Sequence, residues 1–174
     1  MRAFIAVAIP EKFNDCLAPL QEEFQNCIVG TMVKPPFHCT LKFLGEIPED
    51  KIEEVRQKLR HIVFPKFMAY ITNMGAFPNV DYIKVIWMGL EGKFKELQLD
   101  VDTRLMMMFP KEKEFVPHIT LARVKYVRDK AYLHHILRKK VNFENFEITE
   151  FKLVKSTLTP EGPVYDDIEV FKLA

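Results

Sequence analysis

The four residues His38-Cys39-Thr40-Leu41 return as His118-Ile119-Thr120-Leu121, and the chain around each copy runs through the same succession of apolar segments. With only five histidines in 174 residues, two such matches by chance have a probability on the order of 10⁻⁴. A repeat of about eighty residues is too long for a solenoid unit, so the chain should build two similar α+β lobes that face each other across a pseudo-two-fold axis. The natural site is the cleft between them.

The segments themselves repeat. Arg2 to Ile9 suits a strand buried on both faces, and Pro10-Glu11 opens a helix that carries Phe13, Leu17, Leu20 and Phe24 on one side and ends before Gly30. Phe37 to Leu44 reads as a strand ended by Gly45. A helix start at Pro48 follows, with Ile52, Val55, Leu59 and Ile62 as its apolar stripe. Phe67 to Phe77 is a strand and Pro78-Asn79 a turn. The second cycle has a strand at Ile83 to Leu90, a helix at Phe94 to Met108, a strand at Phe115 to Tyr126, a helix at Arg128 to Lys139 and an extended stretch from Phe146 to Thr159. Gly162-Pro163 then turns the chain into a last strand, Tyr165 to Leu173. Arg2 lies 36 positions before His38, and Ile83 lies 35 before His118. These counts predict one domain over residues 1–174, with lobes from about 1–80 and 81–174 and room for strand exchange between them.

Composition narrows the choice of function. The 25 basic and 24 acidic residues nearly cancel, so any affinity for nucleic acid has to come from a local cluster, which argues against a polymer-coating protein. Cys16, Cys27 and Cys39 are odd in number, lack Cys-x-x-Cys spacing and sit among apolar residues, as expected of reduced, buried thiols in a cytoplasmic protein. The apolar run Ala3 to Ile9 is too short to span a membrane.

Alternation in a strand puts His38, Thr40 and Lys42 on one face and Cys39, Leu41 and Phe43 on the other; His118 and Thr120 share a face in the same way. Two imidazoles converging on a cleft can serve as base and acid near neutral pH, and two threonine hydroxyls can hold anionic oxygens. Phosphoryl transfer suits this equipment, because it requires a water to lose a proton, a leaving alkoxide to gain one, and equatorial oxygens to be stabilised. His61, His134 and His135 lack the motif context and read as surface residues. Most phenylalanines fall at core positions; Phe4, Phe37 and Tyr165 are the candidates to stack a base. Arg123 and Lys42 are either phosphate partners or solvated charges, and strict alternation places Arg123 opposite His118 unless a bulge intervenes.

Met1 to Val7, Phe37 to Glu46 and Pro117 to Arg123 together resemble the two-histidine phosphoesterases, specifically the RNA 2′,3′-cyclic phosphodiesterases once called 2′-5′ RNA ligases. The resemblance spans nearly the whole chain. It implies an α+β, bilobal, duplicated fold with two mainly antiparallel sheets and outer helices. It also implies a metal-free, cofactor-free enzyme that opens 2′,3′-cyclic phosphate ends of RNA to 2′-phosphates. Joining of tRNA halves through a 2′-5′ bond is the reverse type of reaction, and a monomer free of membranes is expected. Position for position, His38 and His118 become the catalytic pair, with Thr40 and Thr120 on the substrate. Arg123 is implied to contact phosphate or base, and Lys42, Phe4 and Tyr165 complete the candidate substrate-binding set. His38 is implied to be the acid and His118 the base. Lys34-Pro35-Pro36-Phe37 departs from the polar stretch that relatives carry before the first motif. Three other readings stand beside this one: a cyclic phosphodiesterase acting on a small nucleotide, an RNA-end-binding protein without turnover, and a metallohydrolase, which lacks the spaced carboxylates to complete a ligand shell.

Overall fold

The computed structural model describes residues 1–174. Strands β1 (Arg2–Ala8), β3 (His38–Glu46), β8 (Glu150–Thr159) and β9 (Gly162–Lys172) form one antiparallel sheet in the order β3-β1-β8-β9. The second sheet, in the order β2-β6-β5-β4-β7, holds β2 (Ile28–Met32), β6 (His118–Val127), β5 (Tyr82–Glu91), β4 (Phe67–Asn79) and β7 (Phe146–Ile148). The architecture is α+β with two antiparallel sheets, as expected.

Each sheet draws on both halves of the chain. From the first half, β2 and β4 join β5 and β6; from the second, β8 and β9 join β1 and β3. The helices cross over too. Helix α1 (Asn14–Gln25) follows β1 yet packs on β2 and β6, and α3 (Phe94–Leu105) follows β5 yet packs on β3. Helix α2 (Glu49–Arg60) has Glu49 and Asp50 in its first turn and Lys58 and Arg60 in its last, which suits the helix dipole. Asp129 caps α4 (Lys130–Leu137) by accepting from the Tyr132 N–H at 3.0 Å. One apolar core runs behind both sheets, including Ile5, Leu41, Leu121 and Leu97.

Three local expectations need correction. The short strand β2 was not expected: its Gly30 and Thr31 are exposed on a sheet edge, so it lacks the apolar run that marks a strand. Pro78 and Asn79 belong to β4, and the turn lies one step later, where the Asn79 side chain accepts from Asp81 N and Tyr82 N at 2.9 and 3.0 Å. Cys27 and Cys39 are buried thiols, but Cys16 is exposed on the outer side of α1. No helix is long and apolar enough to cross a membrane.

Candidate active site

The two motif strands begin at their histidines and touch each other across the two sheets. Each contains a bulge at the motif leucine. In β3, Ala6 faces Thr40 and Ile5 faces Lys42, leaving Leu41 extra; in β6, Trp87 faces Thr120 and Ile86 faces Ala122, leaving Leu121 extra. Beyond the leucine the alternation is inverted. Lys42 and Ala122 turn to the core, whereas Phe43 and Arg123 turn to the side of the histidines and threonines.

This overturns the expectation that Lys42 shares a face with His38, and that Phe43 packs under the helices. The Lys42 side chain is 1% exposed, and Phe43 is 66% exposed. Lys42 Nζ donates to Asp102 Oδ1 of α3 at 2.5 Å and to the Pro110 carbonyl at 2.8 Å. Asp102 Oδ2 accepts from Gln98 Nε2 and from the Glu112 N–H, each at 2.9 Å. Burial, the largest influence on the Asp102 carboxyl, raises its pKa, but Lys42, the Glu112 N–H and Gln98 together hold it below the usual carboxylate value. Lys42 is therefore a paired core cation that ties β3 to the segment before β6. The other half uses a neutral device. The Leu121 carbonyl accepts from Val33 N at 2.9 Å and from Gln21 Nε2 of α1 at 3.0 Å.

The histidines occupy matching half-buried niches. His38 stacks on buried Phe4 at 4.9 Å and meets Tyr165 edge-on at 5.1 Å. Burial pushes its pKa down to about 4, the positive charge of Arg123 acts in the same sense, and the Pro36 carbonyl opposes them. His118 meets Phe77 edge-on at 5.1 Å, with Trp87 tilted beside it at 6.1 Å. The indole has room because Gly75 lies opposite: a Cβ there would sit 2.4 Å from the ring. His118 Nδ1 lies 2.6 Å from the Val116 carbonyl. A carbonyl can only accept, so Nδ1 carries the hydrogen and Nε2 is left free. Burial lowers this imidazole too, again with Arg123 and against the adjacent carbonyl.

A cleft of about 1350 Å³ brings together His38, Thr40, His118, Thr120, Arg123, Phe4 and Tyr165 from the expected set, and Lys42 also borders it, with its ammonium paired to Asp102. Phe4 backs the His38 ring and offers no open stacking face, and Phe37 is buried in the core. His61, His134 and His135 lie outside the cleft, and His134 Nε2 hydrogen-bonds the Val80 carbonyl at 2.7 Å. Sequence reasoning missed Phe43 and Phe77 as cleft walls, Trp87 as a neighbour of the His118 ring, and Asp102 as the partner of Lys42. For Phe43 the only signal was its place in the motif repeat, since Phe43 and Arg123 each stand five residues after the histidine. No three His, Cys, Asp or Glu side chains converge closely enough to hold a metal ion.

Comparison with known proteins agrees with this fold. The family model described as LigT like Phosphoesterase matches residues 7–87 and 90–165. A Methanocaldococcus jannaschii protein named RNA 2′,3′-cyclic phosphodiesterase is 38% identical over 173 residues, covering 97% of this chain and 99% of the relative. A protein of the same name from Methanothermobacter thermautotrophicus is 34% identical, with 99% of both chains covered. A crystal structure from Thermus thermophilus superposes with a TM-score of 0.82 at 29% identity, over 99% of this chain and 97% of that one. The Escherichia coli LigT structure in apo form shares the fold with a TM-score of 0.81 at 20% identity, with the same coverage. Both halves of the chain, each with its histidine motif, fall within the family match, and the chain belongs to the LigT-like phosphoesterases.

Proposed function

We propose that this phosphoesterase opens 2′,3′-cyclic phosphate ends of RNA to 2′-phosphates without a metal ion. The observation that carries the reading is the pair of His-x-Thr sets lining one cleft, with Arg123 turned into it by the Leu121 bulge. The curated relatives with 34–38% identity bear the name of that activity.

The chemistry follows from the two niches. Neutral His118, with Nδ1–H held by the Val116 carbonyl, presents Nε2 as the base that takes a proton from water as its oxygen bonds to phosphorus. The P–O3′ bond breaks, and His38, protonated in the complex, gives its proton to O3′. Thr40, Thr120 and Arg123 hold the non-bridging oxygens. The exposed Phe43 ring at the cleft offers the terminal base an apolar face. If an RNA 5′-hydroxyl attacks in place of water, the same steps make a 2′-5′ bond, as in joining tRNA halves. The energy then resides in the cyclic phosphate, and the chain has no G-x-x-x-x-G-K phosphate loop for ATP. We assign the enzyme to the cytoplasm as a monomer.

The cleft exceeds the roughly 300–1000 Å³ typical of small-ligand pockets, which favours a polymer end over a free cyclic nucleotide. A mere end-binding protein would need the threonines and Arg123, but not two imidazoles lining the same cleft. The test is incubation of an oligoribonucleotide bearing a 2′,3′-cyclic phosphate in EDTA, with the product identified by ³¹P NMR. A 2′-phosphate is expected, and His38→Ala and His118→Ala should each lose about 10²- to 10⁴-fold in kcat. Activity abolished by EDTA and restored by zinc would overturn the metal-free mechanism.

A further inference from the structure

The face of the five-stranded sheet that bears His118 continues past the cleft. Val85 lies opposite Arg123 on one side and Phe77 on the other, so these three share the His118 face. Beyond that row, two more register shifts occur, which leave Lys84 extra in β5 and Lys125 extra in β6. They return Tyr82 and Tyr126 to the same face and send Ile83 and Val127 into the core. Without the shifts both tyrosines would face the helices.

The two rings are 60% and 55% exposed, unusual for tyrosines on a sheet whose other face is core. Lys84 Nζ stands 4.9 Å over the Tyr82 ring and 3.4 Å from the Lys125 carbonyl, so a cation bridges the neighbouring strands here. Arg123 precedes Tyr126 by three residues, about 10 Å at the rise of a strand, a separation that one or two nucleotides cover. Exposed aromatic rings with cations between them, in line with a phosphate site, are the equipment for single-stranded RNA.

We infer that Tyr126 and Tyr82 are stacking platforms for the nucleotides preceding the cyclic phosphate, so that the enzyme grips a short single-stranded 3′ end. This rests on the RNA-end reading above. The occupant is identified by continuity with the cleft and by the complementary charge of Arg123 and Lys84.

The test compares kcat/KM for a 2′,3′-cyclic mononucleotide with that for a tetranucleotide ending in the same base. Wild-type enzyme should favour the tetranucleotide. In the Tyr82→Ala/Tyr126→Ala double variant the ratio of the two values should fall about 10-fold or more, because stacking on a ring contributes strongly for each base. The Tyr82→Phe/Tyr126→Phe variant should keep the ratio, since the ring and not the hydroxyl does the stacking. A wild-type enzyme with no preference, or a ratio unmoved by the alanine pair, would overturn the track and leave the cyclic phosphodiesterase reading intact. Wild-type enzyme inert towards both substrates would overturn that reading and the track with it. A second measurement needs no variant: 4-thiouridine at the penultimate position of the tetranucleotide should photocrosslink to the peptides bearing Tyr82 or Tyr126. Crosslinks confined to the four-stranded sheet would overturn the assignment.

Discussion

Lys42 Nζ and Asp102 Oδ1 form an ion pair shut away from solvent, in an apolar core whose one other buried polar side chain is Gln98. The half-exposed Glu112 carboxylate, 3.7 Å from the ammonium, is a weaker second partner. Asp102→Ala should cost about 3–5 kcal/mol, because it strands the Lys42 ammonium and removes the acceptor of the Glu112 N–H. The joint Lys42→Met/Asp102→Leu change should cost less than Asp102→Ala by itself. Urea unfolding of these two variants and of the Lys42→Met and Asp102→Leu single changes checks this, and strictly additive losses in the cycle would show that the pair is not coupled.

The depressed histidines set a pH dependence. On the proposed mechanism one imidazole is neutral and the other protonated in the free enzyme, and both lie below the ordinary 6.5, with His38 at about 4. The bell of kcat/KM should therefore centre on the acid side of 6.5, whichever ring is the acid, and its limbs belong to the pair. A bound anionic phosphate raises both pKa values, so the kcat profile should lie at higher pH. A kcat/KM maximum above pH 7 would contradict the burial argument.

The same shift makes folding sensitive to acid. The unfolded chain takes up a proton at His38 near pH 6.5, whereas the folded chain does so only near 4. Between those values the unfolded state binds more protons, so stability is full above 6.5 and is lost as pH falls towards 4. Melting temperature should drop over this window, and His38→Gln should flatten the drop, with His118 accounting for part of the rest.

Gly30 passes so close to the partner strand that an added Cβ would lie 2.1 Å from the Arg123 carbonyl oxygen. Gly30→Ala should force β2 away from β6 and cost about 1–3 kcal/mol by overpacking. Because Arg123 is the residue displaced, kcat/KM should fall as well. Thermal melts and steady-state kinetics on one preparation would separate the two effects, and a variant normal in both would show that the edge strand yields freely.

The sequence disclosed much of this site, for a physical reason. A repeated motif marks both halves of the cleft, and apolar periodicity located β1, β3, α2, β5, α3 and β6 to within a few residues. What it could not disclose were the bulges, because the backbone departs from alternation there while the side chains still look regular. The bulge at Leu41 moved Lys42 inward and Phe43 outward, and the one at Leu121 brought Arg123 to the face where alternation had denied it a place. Strand β2 escaped notice because an edge with Gly30 and Thr31 carries no apolar signature. Asp102 looked like one more helix carboxylate, since only the tertiary fold supplies its lysine.

The exchange of strands between halves also governs when the enzyme comes into being. During synthesis β1 emerges long before one of its two neighbours, β8, which ends at Thr159, and β2 waits for β6. Until β8 has left the ribosome, β1 has one open hydrogen-bonding edge, and its Ile5 and Val7 lack part of the core that later encloses them. A nascent or truncated first half therefore has a histidine but no cleft. The two histidines come to face one cleft only when strands from both halves have paired.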